Sequence, residues 1–207
     1  ASQRLQREYL PCEQDKGQEF GHLTGVIRDE IRRLNVIIED FLTFSRSRRL
    51  ELREFSLTEI IEKLVRLMGE EARSRGIDLS LKAEPSPLMV PMDVDKLQQA
   101  LINILKNAME SISGTGSVDI LVERQAGDRA LVRIADTGSG LAPEEIEKIF
   151  NPDYTTKEKG LGLGLPIAHE IVRGHGGTIR VQSSPGQGTI FEIVLPAKPL
   201  PAGPAAR

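Results

Sequence analysis

The chain has 207 residues, 28% of them charged and 39% hydrophobic, which is ordinary for one or two soluble globular domains. A net charge of −3 gives no reason to look for nucleic acid as a partner, and no apolar run approaches the roughly 18 residues that span a bilayer. Cys12 is the only cysteine, so no internal disulfide forms, and with Trp absent the core falls to Ile, Leu and Val.

In chain order, Ser2 to Leu10 reads as the end of a helix stopped by Pro11. Residues 20 to 45 carry the strongest helical pattern. Phe20, Ile27, Leu34 and Phe41 recur every seven residues, Leu23, Ile37 and Phe44 follow them, and Ile31 and Ile38 widen the stripe. A stripe this wide suits a bundle, and the chain offers it only a short partner, so residues 1–50 read as a partial helical hairpin that dimerises through residues 20–45. The charged stretch Ser45 to Arg53 separates this arm from a second domain, residues 51–198.

That domain begins with an amphipathic helix from Leu57 to Arg75, with Ser56 as N-cap. Ile77 to Lys82 alternates as a strand, Pro85 and Pro87 mark a turn, and Asp93 opens a helix from Val94 to Ile112. Val118 to Arg124 and Ala130 to Ala135 form a hairpin around Gly127-Asp128. Pro143 starts a short helix, residues 151 to 162 are loop, and Gly164 to Gly174 is helix. Thr178 to Gln182 and Thr189 to Leu195 make a second strand pair. The fold class is α+β, a two-layer sandwich of a mixed sheet with helices on one face. Residues 199–207, rich in Pro and Ala, read as a disordered tail.

Three clusters carry chemistry. Asn103 and Asn107 lie four apart on one helix face, and an amide oxygen is a hard neutral ligand suited to a magnesium ion that bridges phosphates. Asp136 ends a strand, where a carboxylate accepts a hydrogen bond from an exocyclic amine such as that of adenine, and Gly138 and Gly140 let the backbone approach a flat base. Gly160, Gly162 and Gly164 precede a helix whose N-terminus and backbone N–H groups can cradle phosphate. The spacing fits neither G-x-G-x-x-G nor a P-loop. Between the second and third clusters lie Phe150, which anchors the loop start, and Thr155-Thr156-Lys157, whose hydroxyls and ammonium suit a γ-phosphate. His175 sits at a helix end, where the dipole favours a cation, and reads as structural; His169 is mid-helix. His22 is a phosphoacceptor by location only, and a poor one.

In this order the motifs resemble those of the sensor histidine kinases of bacterial two-component systems, from about Phe20 to Pro196. Glu30 to Asn35 and Asp40 to Arg46 are similar to the end of that family's dimerisation hairpin. The resemblance makes Asn103 and Asn107 the N box, with Asn107 the magnesium ligand, and Asp136, Gly138 and Gly140 the first glycine box, with Asp136 on adenine. It makes Phe150, Thr155, Thr156 and Lys157 the F box, Gly160, Leu161, Gly162, Leu163, Gly164 and Leu165 the second glycine box, and Thr189 part of the closing strand. The short step from Lys157 to Gly160 resembles kinases of the nitrogen-regulator type, which have a small ATP lid. Two positions depart from the pattern: Glu110 stands where lysine is frequent, and Thr137 where asparagine is common. The family's His-Glu-x-x-x-Pro acceptor motif does not occur, so the phosphoacceptor histidine is expected upstream and this fragment alone is expected not to autophosphorylate. The resemblance implies ATP and magnesium as cofactors, a protein-histidine kinase in the intact protein, and a response-regulator receiver domain as partner. It implies a cytoplasmic location, with any membrane anchor in upstream segments. The alternatives are a nucleotide-gated dimerisation module without kinase chemistry, or another ATPase or protein kinase of the same fold.

Overall fold

The computed structural model describes residues 20–28, 50–84, 86–152, 154 and 162–197. The expectations for Ser2 to Leu10, for the stripe beyond residue 28, for Thr155, Thr156, Lys157, Gly160 and Leu161, and for the tail lie outside the described residues. Two compact units divide the chain, Ala1–Ser47 and Arg48–Arg207. In the first, residues 20–28 are helical, and Leu23, Val26 and Ile27 are each more than half exposed, at 53%, 54% and 57%. No described helix is long and apolar enough to cross a membrane.

The second unit runs β1 (Arg53–Ser56), α1 (Leu57–Ser74), β2 (Ile77–Glu84), β3 (Met89–Met92), α2 (Val94–Ser111), β4 (Gly116–Gln125), β5 (Arg129–Asp136), α3 (Pro143–Ile146), α4 (Gly164–Gly174), β6 (Thr178–Ser183) and β7 (Thr189–Pro196). Both long helices start where the sequence places a cap. Ser56 is extended and its Oγ accepts from the Glu59 N–H at 3.2 Å; Asp93 is extended and its Oδ1 accepts from the Lys96 N–H at 3.2 Å. From those caps the helical period puts Ile60, Ile61, Leu64, Met68 and Ala72 of α1 inside, with Leu97, Leu101, Ile104, Leu105 and Ala108 of α2. Fully burying each large side chain contributes roughly 1.5–3 kcal/mol.

The main sheet has five strands in the order β2-β4-β5-β7-β6. β4 and β5 form the expected hairpin, with Gln125 opposite Arg129 and Asp128 at positive φ in the turn. β7 pairs antiparallel with both β5 and β6. β2 pairs parallel with β4, which the intervening β3 and α2 permit as a crossover. Alternate residues of each strand, among them Val118, Ile120 and Val122 of β4, Val132 and Ile134 of β5, and Phe191 and Ile193 of β7, join the helices in one core. Two strands were not expected. β1 and β3 form a separate antiparallel pair with Phe55 opposite Val90. Arg53 belongs to β1 rather than to a linker, and Pro91 inside β3 argues against a strand by sequence, yet a two-stranded ribbon consists of edges, where proline is tolerated.

Candidate nucleotide-binding site

Register places the second cluster. Asp136, at the last position of β5, lies opposite Val118 of β4 and Thr189 of β7, and Thr189 lies opposite Ser183 of β6. These four residues cross one end of the sheet in a row, where the last turn of α2 meets it. Asp136 and Thr189 are buried, at 6% and 4% exposure. Asp136 Oδ1 accepts from the Gly138 N–H at 2.8 Å and faces Ser111 Oγ at 3.0 Å. Oδ2 is buried and has no hydrogen-bond partner among the described residues. Burial pushes this carboxyl above its usual range, against the opposing effect of Gly138, Ser111 and the nearby Thr189 amide. The Thr189 amide lies close enough to favour the charged form, yet no donor completes a bond to Oδ2. A buried acceptor left open is costly, and it matches the exocyclic amine of adenine, a donor that arrives with the ligand.

Gly138 and Gly140 stand where the protein itself leaves no space for a side chain. A Cβ on Gly138 would collide with Ser111 Oγ and stand 2.7 Å from Asp136 Oδ1; on Gly140, whose φ is +67°, it would collide with the Ser184 carbonyl. The space is filled by the protein, so these glycines permit the turn to close on itself. The turn is then pinned from two sides: the Ser139 N–H donates to Ser111 O at 3.1 Å, and the Gly186 N–H to Ser139 O at 2.6 Å.

The first and third clusters meet through one bond. Asn103 Nδ2 donates to the Gly164 carbonyl at 3.0 Å, tying α2 to the first residue of α4. Asn103, expected to touch nucleotide, thus spends a donor on placing the glycine segment. Asn107 lies one turn further along, half-buried on the same face. The N-cap of α4 is Leu163, with no side-chain capping bond, and Pro166 in the first turn has no N–H to satisfy. Gly162 has φ +68° and packs so tightly on the Tyr154 backbone that a Cβ would clash. Phe150, Tyr154, Leu163 and Leu165 pack on the core, and the Phe150 ring sits 4.9 Å from that of His169. Among the described residues no group of three or more His, Cys, Asp or Glu is arranged to hold a metal.

At the far end of α4 the buried ring of His175 contacts the backbone through both of its nitrogens. Nε2 accepts from the Asp93 N–H at 3.0 Å, and Nδ1 faces the Ile171 carbonyl at 2.7 Å, so the proton belongs on Nδ1. His22 is exposed. Two residues were missed by sequence reasoning: Ser111, on Asp136, and Ser183, whose Oγ is 2.9 Å from Thr189 Oγ1 and donates to the Gly188 carbonyl at 2.8 Å. The available signal was spacing, since Ser111 stands one helical turn beyond Asn107.

Comparison with known proteins agrees with this geometry. Residues 92–199 match the family described as histidine kinase-, DNA gyrase B- and HSP90-like ATPase. The sensor histidine kinase ZraS of Salmonella typhimurium is 35% identical over 180 residues, which cover 87% of this chain and 39% of that protein. The chain thus spans about two fifths of the length of such curated relatives. The catalytic domain of histidine kinase ThkA has a TM-score of 0.65 at 33% identity, over 70% of this chain and 95% of the domain. ThkA in complex with the response regulator TrrA has a TM-score of 0.73 at 29% identity, over 95% of this chain and 55% of that one. The chain belongs to the histidine kinase-, DNA gyrase B- and HSP90-like ATPase family, and within it to the sensor histidine kinases of two-component systems.

Proposed function

We propose that this chain is the ATP-binding portion, with part of the dimerisation hairpin, of a kinase that transfers the γ-phosphoryl group of ATP to a histidine outside these 207 residues and from there to an aspartate of a response regulator. The observation that carries the reading is the buried Asp136 Oδ2, open toward a donor that the described protein residues do not supply. In this reading Asp136 selects adenine. The turn Gly138 to Gly140 and Thr189 frame the base. Asn103 holds the first turn of α4, whose backbone N–H groups face the phosphates. The Asn107 amide oxygen would hold a magnesium ion, which would supply neutralisation of the phosphate charge. Thr155, Thr156, Lys157 and Gly160 serve the γ-phosphate.

The residues contribute positioning and electrostatics, which is most of what phosphoryl transfer needs from a protein. The homodimer forms through residues 20–45, where Leu23 and Ile27 lie exposed in one turn of helix. The receiver partner is inferred from the ThkA complex with its response regulator. A cytoplasmic domain fits this reading, since ATP and receiver domains are found there.

The test is calorimetric titration with ATP and magnesium on the parent chain and on Asn107→Ala. Binding by the parent and a loss of tenfold or more in the variant is expected. Absence of binding by the parent, or phosphohistidine formed on His22, would overturn the reading.

A further inference from the structure

We propose that Ser111 is a positioning residue for base recognition: its hydroxyl, with the Gly138 amide, holds Asp136 Oδ1 so that Oδ2 is presented, without a proton, to the amine of adenine. This rests on the nucleotide-site reading above. Ser111 Oγ lies 2.7 Å from the Ala108 carbonyl and 3.0 Å from Asp136 Oδ1. A hydroxyl has one hydrogen, so only one of these contacts is a hydrogen bond at a time. The carboxylate attracts it more strongly, because a bond to an ionised acceptor is worth about twice a neutral one. The other donor on Oδ1, the Gly138 N–H at 2.8 Å, is fixed in the backbone.

With two donors on Oδ1, any proton Asp136 takes up is directed to Oδ2. A proton there puts donor against donor where adenine must bind, so protonation and base recognition exclude each other. The Ser111 hydroxyl favours the ionised carboxylate, and the rotamer it enforces aims the free oxygen. Ser111, Gly138 and Asp136 approach closely, since a Cβ on Gly138 would collide with the Ser111 side chain and stand 2.7 Å from Asp136 Oδ1. The same residue's carbonyl accepts the Ser139 N–H at 3.1 Å, so backbone and side chain of Ser111 fix the two sides of one turn.

The test compares ATP with purine riboside triphosphate, which lacks the exocyclic amine, by calorimetry on the parent chain and on Ser111→Ala. The parent should prefer ATP. The variant should lose about 5- to 10-fold of its ATP affinity while keeping its affinity for the analogue, because only the hydrogen bond to the amine depends on Ser111. The pH below which the preference disappears should move upward in the variant, since one fewer donor supports the carboxylate. An equal loss for both nucleotides would make Ser111 merely structural, and an unchanged preference would leave it without a role; either result overturns the proposal. A parent that binds both nucleotides equally overturns the adenine reading itself. Ser111→Cys, close in volume and a weak donor, carries the same comparison if Ser111→Ala does not fold.

Discussion

At Asp136 stability and function pull in opposite directions. The folded chain raises this carboxyl above 3.8 chiefly by burial, so between 3.8 and the raised value the native state binds more proton than the unfolded chain does. Stability therefore falls as pH rises from 3.8 through the raised value, and stays lower above it. Asp136→Asn removes the buried charge and keeps an oxygen for Ser111 and Gly138. We expect the variant to melt at a higher temperature than the parent at neutral pH, with the difference vanishing below pH 3.8 in thermal scans. The same variant offers adenine an NH2 group in place of an acceptor. ATP affinity should fall by about 10- to 100-fold, the range expected for a hydrogen bond to a charged group. Unchanged affinity would show that Asp136 does not read the base.

Among the elements, α4 is held at both ends by α2. Asn103 grips its first residue, Gly164. At the other end His175, just past the helix, accepts from the N–H of Asp93, which also caps α2. Asp93 Oδ2 further accepts the Glu51 N–H at 3.3 Å, and the Leu50 side chain packs where a Cβ on Gly174 would stand 2.9 Å away. The start of this unit is thereby fastened to the end of α4 that lies opposite the glycine cluster. Asn103→Ala should cost about 1 kcal/mol in urea unfolding, the typical worth of one such bond. It should also weaken ATP binding more than adenosine binding, because the phosphate side of the site loses its anchor. Equal weakening of both ligands would contradict the positioning role.

For the molecule as a whole, the two compact units make separate demands. The second has a continuous core of its own and closes its own hydrogen-bonded sheet. Residues 48–198 are expected to unfold in one cooperative transition and to run as a monomer in light scattering. The full chain is expected to dimerise, and Ile27→Glu, a charge placed in an exposed apolar stripe, to return it to a monomer. A monomeric full chain would remove residues 20–45 as the dimer interface.

Local chemistry made much of this legible in the sequence. Ser56 and Asp93 cap the helices they precede, and the 3.6-residue period of α1 and α2 selects their buried faces, because both depend on neighbours within one or two turns. The hairpin at Gly127-Asp128 is equally local. The three clusters and their order already resembled those of a histidine kinase. What the sequence could not contain is set by partners far along the chain. The parallel pairing of β2 with β4 and the ribbon of β1 with β3 join segments separated by a helix. Asn103 is given an anchoring bond by a carbonyl 61 positions away, and Ser111 is recruited by a carboxylate 25 positions away. His175 Nε2 accepts from a backbone N–H 82 positions away. Sequence determined which residues have the chemistry, because that is a property of each side chain. Tertiary structure decided which bonds they make, because a hydrogen bond is settled by whichever groups the fold brings within about 3 Å.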